Sequence, residues 1–303
     1  MSTNFPTSLD SYSTLVDGTH YPKAEYHNNR GDAIEALEAK VGVDSSTVTT
    51  SFENMFDKLL LGFKNRARFA YKDADEICIY PASYDHRGTT NQILYWDSTL
   101  TFKFGSGGSN EGSTNLAASD WFYVYLDDSA IVTAATNVIT NSEIVAVTTE
   151  PAWSASKHGW YNGSDRCIFA VLTDSDSHVL DFQQDGDFVQ YDVQVTDLDA
   201  IDIDDTWTDE TLTLPKFASE ALCTFIGTTT IPAVTGYWRK NGSSGTGHDV
   251  YHLPILFDLN LVSYTGQFRV SCDSSQKIEV KHSSSNSCVM TIHTDGYFLP
   301  TGI

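Results

Sequence analysis

A chain of 303 residues, 41% of them hydrophobic and 12% aromatic, can bury a sizeable core and exceeds the common size of one domain. Its formal net charge of −22, from 40 Asp and Glu against 18 Lys and Arg, excludes nucleic acid as a partner, because a phosphate backbone is bound by displacing counterions with Lys and Arg. No apolar run approaches the roughly 18 residues a membrane span needs, and the opening residues carry no basic segment ahead of an apolar one, so neither membrane insertion nor secretion is expected.

In chain order, residues 1–30 are polar, with Phe5, Leu9, Leu15 and Val16 too sparse for a core. Such a segment is expected to be an extended arm that needs a partner to order it. A short helical neck over 31–65 follows. Asp32 can cap the first turn and Glu35 can reach back to it; Ile34, Leu37 and Val41 form an apolar stripe, and Gly42 ends the helix. Thr50 and Glu53 repeat the capping signal, and Phe52, Met55, Phe56, Leu59 and Phe63 line one face of a second helix ending near Gly62. So short a stripe is not stable alone in water; three copies packed side by side, or docking on another protein, would complete it.

From Arg66 onward the pattern has period two. Strands are expected over Ile77–Tyr80, Ile93–Trp96, Leu100–Phe104, Trp121–Leu126, Cys167–Leu172 and Phe188–Tyr191, separated by turn residues such as Gly105 to Gly112. These make a first antiparallel β-sandwich-like domain over 66–191. The stretch from Asp165 to Glu210 holds fourteen acidic residues against one Arg, and a boundary is placed near its middle. Thr211–Leu214, Ala221–Ile226, Gly236–Arg239, Leu253–Leu259, Gln267–Val270, Lys277–Lys281 and Cys288–His293 then read as a second such domain over 192–303. The fold class is thus mainly β, and with no short-period repeat a β-helix is not indicated. Cys78, Cys167, Cys223, Cys272 and Cys288 are odd in number and lack a C-x-x-C pair, which points to buried free thiols and a reducing compartment.

The stretch Asn4-Phe5-Pro6-Thr7-Ser8-Leu9-Asp10, followed by His27 and then by Asp32 through Ser45 and Thr49-Thr50-Ser51, resembles the N-terminal region of tailed-bacteriophage tail fibres and other virion appendage proteins. The resemblance covers about the first 60 residues and implies an N-terminus attached to tail or head proteins and a homotrimer assembled along the helix. On this reading Phe5, Pro6, Leu9, Tyr12, Leu15 and Tyr21 contact the particle, and Ile34, Leu37, Val41, Phe52, Met55, Phe56 and Leu59 form the trimer seam. A second, weaker resemblance, in Trp121–Leu126 and between Pro151 and Gly163, is to outer domains of phage fibres whose chemistry is undefined. The implied location is the virion, after assembly in the host cytoplasm.

The chemical motifs point away from catalysis. The chain has no Gly-x-Ser-x-Gly elbow and no phosphate-cradling loop, and among forty acidic residues a pair at glycosidase spacing carries no information. No catalytic residue, cofactor or metal is assigned. His248 and His252 sit where a loop enters a strand rather than on a helix. Asp197, Asp199, Asp202, Asp204 and Asp205 lack the Gly and closing Glu of a calcium hand and alternate with Leu198, Ile201 and Ile203, as on a solvated strand face; Asp174 and Asp176 beside His178 are a weaker cluster. Host glycan recognition is the stronger hypothesis, since sugars stack on aromatic rings while amides and carboxylates bond their hydroxyls. Trp153, His158, Trp160 and Tyr161, near Asn162 and Asp165, are one candidate surface, and Tyr237, Trp238 and Arg239 are another. The competing reading for each Trp is core packing. The function expected is a trimeric tail fibre presenting β-domains to a host receptor. The alternatives are a head fibre, decoration protein or tail adaptor with no receptor role, and a polysaccharide-degrading spike.

Overall fold

The computed structural model describes residues 24–42, 51–52, 66–89, 91–229, 234–252, 262–285 and 288–303. The architecture is mainly β, with several antiparallel sheets and, among the described residues, two α-helices. Phe5, Pro6, Leu9, Tyr12, Leu15 and Tyr21 lie outside the described residues, as do Met55, Phe56, Leu59 and the strand expected over Leu253–Leu259.

Helix α1 spans Ala24–Val41. It therefore starts ahead of the cap expected at Asp32 and takes in the last residues of the expected arm. The Ala, Glu, Leu and Lys residues after Asp32 are strong helix formers, and once a helix exists each further residue costs at most about 1 kcal/mol, even Gly31. Propagation therefore runs back through His27-Asn28-Asn29-Arg30, and Asp32 is an exposed mid-helix residue. The stop is where the sequence places it. Gly42 takes φ of 90°, and its N–H donates to Glu38 O at 2.8 Å, closing the last turn through a conformation that favours glycine.

Three strands, β1 (Phe69–Asp73), β2 (Glu76–Ile79) and β5 (Leu100–Lys103), form one sheet. The hairpin of β3 (Ala82–Arg87) and β4 (Asn91–Trp96) stands beside it as a separate pair. Next, β6 (Trp121–Leu126), β7 (Ile144–Val147), β8 (Ala152–Ser154), β9 (Gly159–Asn162) and β10 (Asp165–Leu172) order as β7-β6-β10-β9-β8. Strands β6 and β10 are buried along nearly their whole length, which is why they read as unbroken apolar runs rather than as alternation. Between β6 and β7 lies the short helix α2 (Asp128–Ala134), capped by Asp127, which accepts from the N–H groups of Ser129 and Ala130.

The last two sheets come from the C-terminal part. One is β11 (Phe182–Asp185), β12 (Phe188–Ile203), β19 (Cys288–Phe298), β14 (Glu220–Thr229) and β17 (Val262–Ser271), in that order. The other is β13 (Thr208–Thr211), β18 (Lys277–His282), β15 (Thr235–Lys240) and β16 (His248–His252). The strand expected over Thr211–Leu214 ends instead at Thr211. Leu212 and Leu214 are buried in a tight turn with Leu214 N–H on Leu212 O at 3.0 Å, a geometry suited to the chain entering Pro215.

The sheets are joined by aromatic packing. Phe69 of β1 stacks on Phe169 of β10 with centroids 4.1 Å apart, and Phe182 of β11 packs on that same ring at 5.2 Å. Phe217, ahead of β14, is wedged between Tyr123, Trp160 and Tyr297, and the Tyr297 hydroxyl donates to Ala170 O at 2.9 Å. One connected set of buried side chains runs from Ala67 to Ile303. The boundary expected between residues 191 and 192 falls inside β12, whose first residues pair with β11 and which pairs with β19 from Phe188 to Ile203.

Strand β12 also holds Asp192, Asp197, Asp199 and Asp202 of the acidic segment. Register shifts interrupt its pairing with β19 around Leu198, and Ala200 takes φ of 51°. These bulges keep Leu198 and Ile203 in the core while Ile201 is turned outward, 48% exposed. Asp197 is turned inward and accepts from Thr213 N–H at 2.8 Å and from the Thr294 hydroxyl; burial pushes its carboxyl above the usual carboxylate range. Four of the five free cysteines are buried, and burial pushes the Cys272 thiol up to about 11, so these thiols act as small apolar side chains.

Candidate functional site

The first aromatic group lies on the β8–β9 hairpin. Its turn puts His158 at φ of 52°, exposed, and sets Trp153 opposite Trp160 as cross-strand partners. Their rings meet edge to face at 5.9 Å, the favoured aromatic geometry. Trp153 is 47% exposed, whereas Trp160 turns its other side to Phe217 at 6.3 Å. The Trp160 Nε1–H is buried with no hydrogen-bond partner among the described residues. Tyr161 is buried; its hydroxyl accepts from Arg87 N–H at 3.2 Å, and Lys157 and Arg166 lie over its ring at 4.7 and 5.8 Å. A Cβ on Gly302 would sit 2.7 Å from the Trp153 ring, so the C-terminus packs directly beneath that side chain. The exposed elements of this surface are therefore Trp153 and His158, while Trp160 and Tyr161 hold them in place.

The second group lies on the β13-β18-β15-β16 sheet. Strand β18 alternates strictly, with Ile278, Val280 and His282 inward and Lys277, Glu279 and Lys281 outward. Across from it, Trp238 faces the core, stacked on His248 at 5.0 Å, so it is removed from the candidate surface. Tyr237 and Arg239 share the outward face, opposite Lys281 and Glu279. The Arg239 guanidinium donates to both Glu279 oxygens, at 2.7 and 3.0 Å, and to Gly245 O at 2.9 Å. The ring of Trp207, just before β13, lies 4.2 Å from the Arg239 guanidinium carbon and 4.9 Å from the Lys281 ammonium, in cation–π contact with both. Lys281 also approaches the Tyr237 ring at 5.8 Å.

Trp207 is thus the residue of this surface that sequence reasoning missed. Its position in an acidic linker-like stretch concealed it, and the available signal was a lone Trp directly ahead of the short strand β13. Gly247, at φ of 90°, lets the Asn241–Gly247 loop close on the ring, since a Cβ there would lie 2.5 Å from the Trp207 ring edge.

A third concentration of polar groups is buried. His86 Nε2 lies 3.0 Å from Asp128 Oδ1, which also accepts from Thr89 N–H at 2.9 Å, and Asp165 accepts from Asp128 N–H at 2.9 Å. Burial lowers the His86 pKa. For Asp128, hydrogen bonds from Thr89 and His86 overcome the opposing burial effect and hold its carboxyl low. Gly88 leaves the room this cluster needs, because a Cβ there would lie 1.8 Å from the Asp128 carboxylate. The His86 side chain is fully enclosed, so the pair braces the β3–β4 hairpin against α2 rather than facing a substrate. Asp174, Asp176 and His178 are close enough to share an ion, but Asp174 Oδ1 already accepts the N–H groups of Asp176 and His178, which accounts for the cluster as a turn.

No protein-family model matches the chain, and no curated protein matches it. Among solved structures, that of infectious bursal disease virus Gt strain aligns over 78% of this chain and 77% of its own at 12% identity, with a TM-score of 0.17. A likeness at that level carries no argument about this chain.

Proposed function

We infer that the protein is a structural component of a phage virion: a trimeric tail fibre that attaches through its N-terminal arm and presents its β-rich part to a host glycan. In this reading an arm over residues 1–30 docks on the particle, a neck over 31–65 joins three chains, and two sandwich-like halves that share β12 face outward. The observation that carries it is the unfilled stripe of α1. Ile34, Leu37 and Val41 are 42%, 62% and 40% exposed, while Gly31 and Glu38 are the buried positions. At about 100° per residue, these two lines are separated by roughly 80° around the helix. Among the described residues, α1 thus has a covered line and an exposed apolar line beside it, which supports completion of the stripe by another molecule. The sequence resemblance of the same segment to virion appendage proteins points the same way.

Deleting residues 1–23, which leaves α1 (Ala24–Val41) whole, tests the reading. The truncated chain is expected to remain folded and trimeric while failing to assemble onto particles. Wild-type incorporation of the truncated chain would refute the attachment assignment. The decoration reading is favoured by one observation, the enclosure of Tyr161 and Trp238; it predicts that loss of the protein leaves host adsorption unchanged.

A further inference from the structure

We propose that the groove between β1 and β11 binds an uncharged oligosaccharide. Both strands are terminal in their sheets, and the two edges approach without pairing as a ladder. A side chain stands between them instead: Gln184 Oε1 accepts from Phe69 N–H at 2.7 Å, and Gln184 Nε2 donates to Gly186 O at 2.9 Å. One end is pinned by Val179 N–H on Ala74 O at 2.7 Å, and the other by the Arg66–Asp187 ion pair. Held apart in this way, the edges enclose a groove of about 850 Å³, within the size range of small-molecule sites. It meets a smaller recess of about 320 Å³ at Asp185 and Phe188.

The lining follows from period two. Along β11, Phe182 and Gln184 turn inward, while Gln183 and Asp185 face out. Their cross-strand partners on β12 are Gln190 and Phe188 respectively, so one face of the hairpin carries two adjacent amides beside a carboxylate and a ring. Tyr71 and Arg68 approach from the β1 side. Paired amides supply donors and acceptors to vicinal hydroxyls, the rings offer surface to the C–H faces of sugars, and Asp181 and Asp185 against Arg68 leave the lining net acidic, which disfavours uronic or sialic acids. The inference rests on the glycan-recognition part of the reading above but assigns it to a surface other than the two aromatic groups.

Calorimetric titration of the full chain with maltotriose, tri-N-acetylchitotriose and trigalacturonate tests it. At least one uncharged trimer is expected to bind with a Kd of about 1 mM or tighter, and trigalacturonate is not. Gln183→Ala with Gln190→Ala, both at exposed positions, should weaken binding about tenfold without altering the fold; Tyr71→Ala should also weaken it, with a loss of stability because Tyr71 packs on the core. Trp153→Ala should leave the affinity unchanged. Undiminished binding by the Gln double variant, preference for trigalacturonate, or no binding of any uncharged trimer would overturn the proposal. Host-cell adsorption separates the two ideas. If Trp153→Ala abolishes adsorption and the Gln variants do not, the groove assignment fails alone; if the groove binds sugar and the chain never adsorbs to cells, the receptor reading fails alone.

Discussion

At the scale of single residues, burial decides what the titratable groups do. His86 is enclosed among Asp128, Asp165 and Arg166, and His282 is buried with its Nδ1 3.0 Å from Ile203 O. Burial lowers both pKa values below the ordinary 6.5. The unfolded chain therefore binds protons at a higher pH than the folded one, so stability from these two residues is present above about pH 6.5 and is lost as the pH falls toward their folded values. The raised carboxyls of Asp165 and Asp197 act with the opposite sign, starting from the lower carboxylate range. The melting temperature is accordingly expected to fall between pH 7 and 5, and His86→Asn with His282→Gln should flatten that slope; an unchanged slope in the double variant would contradict the assignment. Arg239 offers a second residue-scale prediction. Its pair with Glu279 is 17% and 13% exposed at the two side chains, so Arg239→Ala leaves a largely covered carboxylate unmatched and should cost about 1–3 kcal/mol in urea unfolding. Arg239→Lys, which keeps the charge but not the fork, should recover only part of that.

At the scale of elements, the seam on α1 is open to direct test. Leu37 is the most exposed of the three stripe residues, so Leu37→Asp costs little within one chain. Between chains it would place a carboxylate at a packed position, where burial without a partner is unfavourable by several kcal/mol. Light scattering is expected to find trimers for the wild type and monomers for Leu37→Asp, with unchanged β circular dichroism; a monomeric wild type would remove the neck from the proposal. The helix also shows which signals sequence carries well. Its end at Gly42 was legible because a left-handed residue is a local steric requirement, whereas its start was not, because extension through Asn28 to Gly31 is decided by propagation from the residues that follow. Long strands behaved alike. Trp121–Leu126 and Lys277–Lys281 were readable from composition and alternation, but bulges in β12 reset the register, so Asp197 faces inward and Ile201 outward.

At the scale of the whole molecule, the buried set that runs from Ala67 to Ile303 ties both halves of the β region together. Tyr123 and Trp160 from the first half pack on Phe217 from the second, and Trp121 and Tyr191 pack on Tyr297. Arg66 and Arg166 reach the C-terminal residues, donating to Ile303 O at 3.0 Å and to Gly302 O at 3.2 Å. Residues 66–303 are therefore expected to unfold in a single transition by near-UV dichroism and fluorescence, and a chain ending at residue 191 should not fold. Two separated transitions would show that the halves are independent.

Sequence alone determined the β class, the place of most strands, the helix stop and the burial of four of the five cysteines, because period, turn chemistry and left-handed glycine are properties of a few adjacent residues. Only the tertiary structure decided which aromatic rings reach solvent. Trp153 and Trp160 share a hairpin, yet one is exposed and the other is covered by Phe217; Trp207 became part of a surface through Arg239 and Lys281, more than thirty residues away in sequence. Exposure of a side chain depends on what the rest of the chain lays over it, and that is set by packing between segments that sequence distance keeps apart.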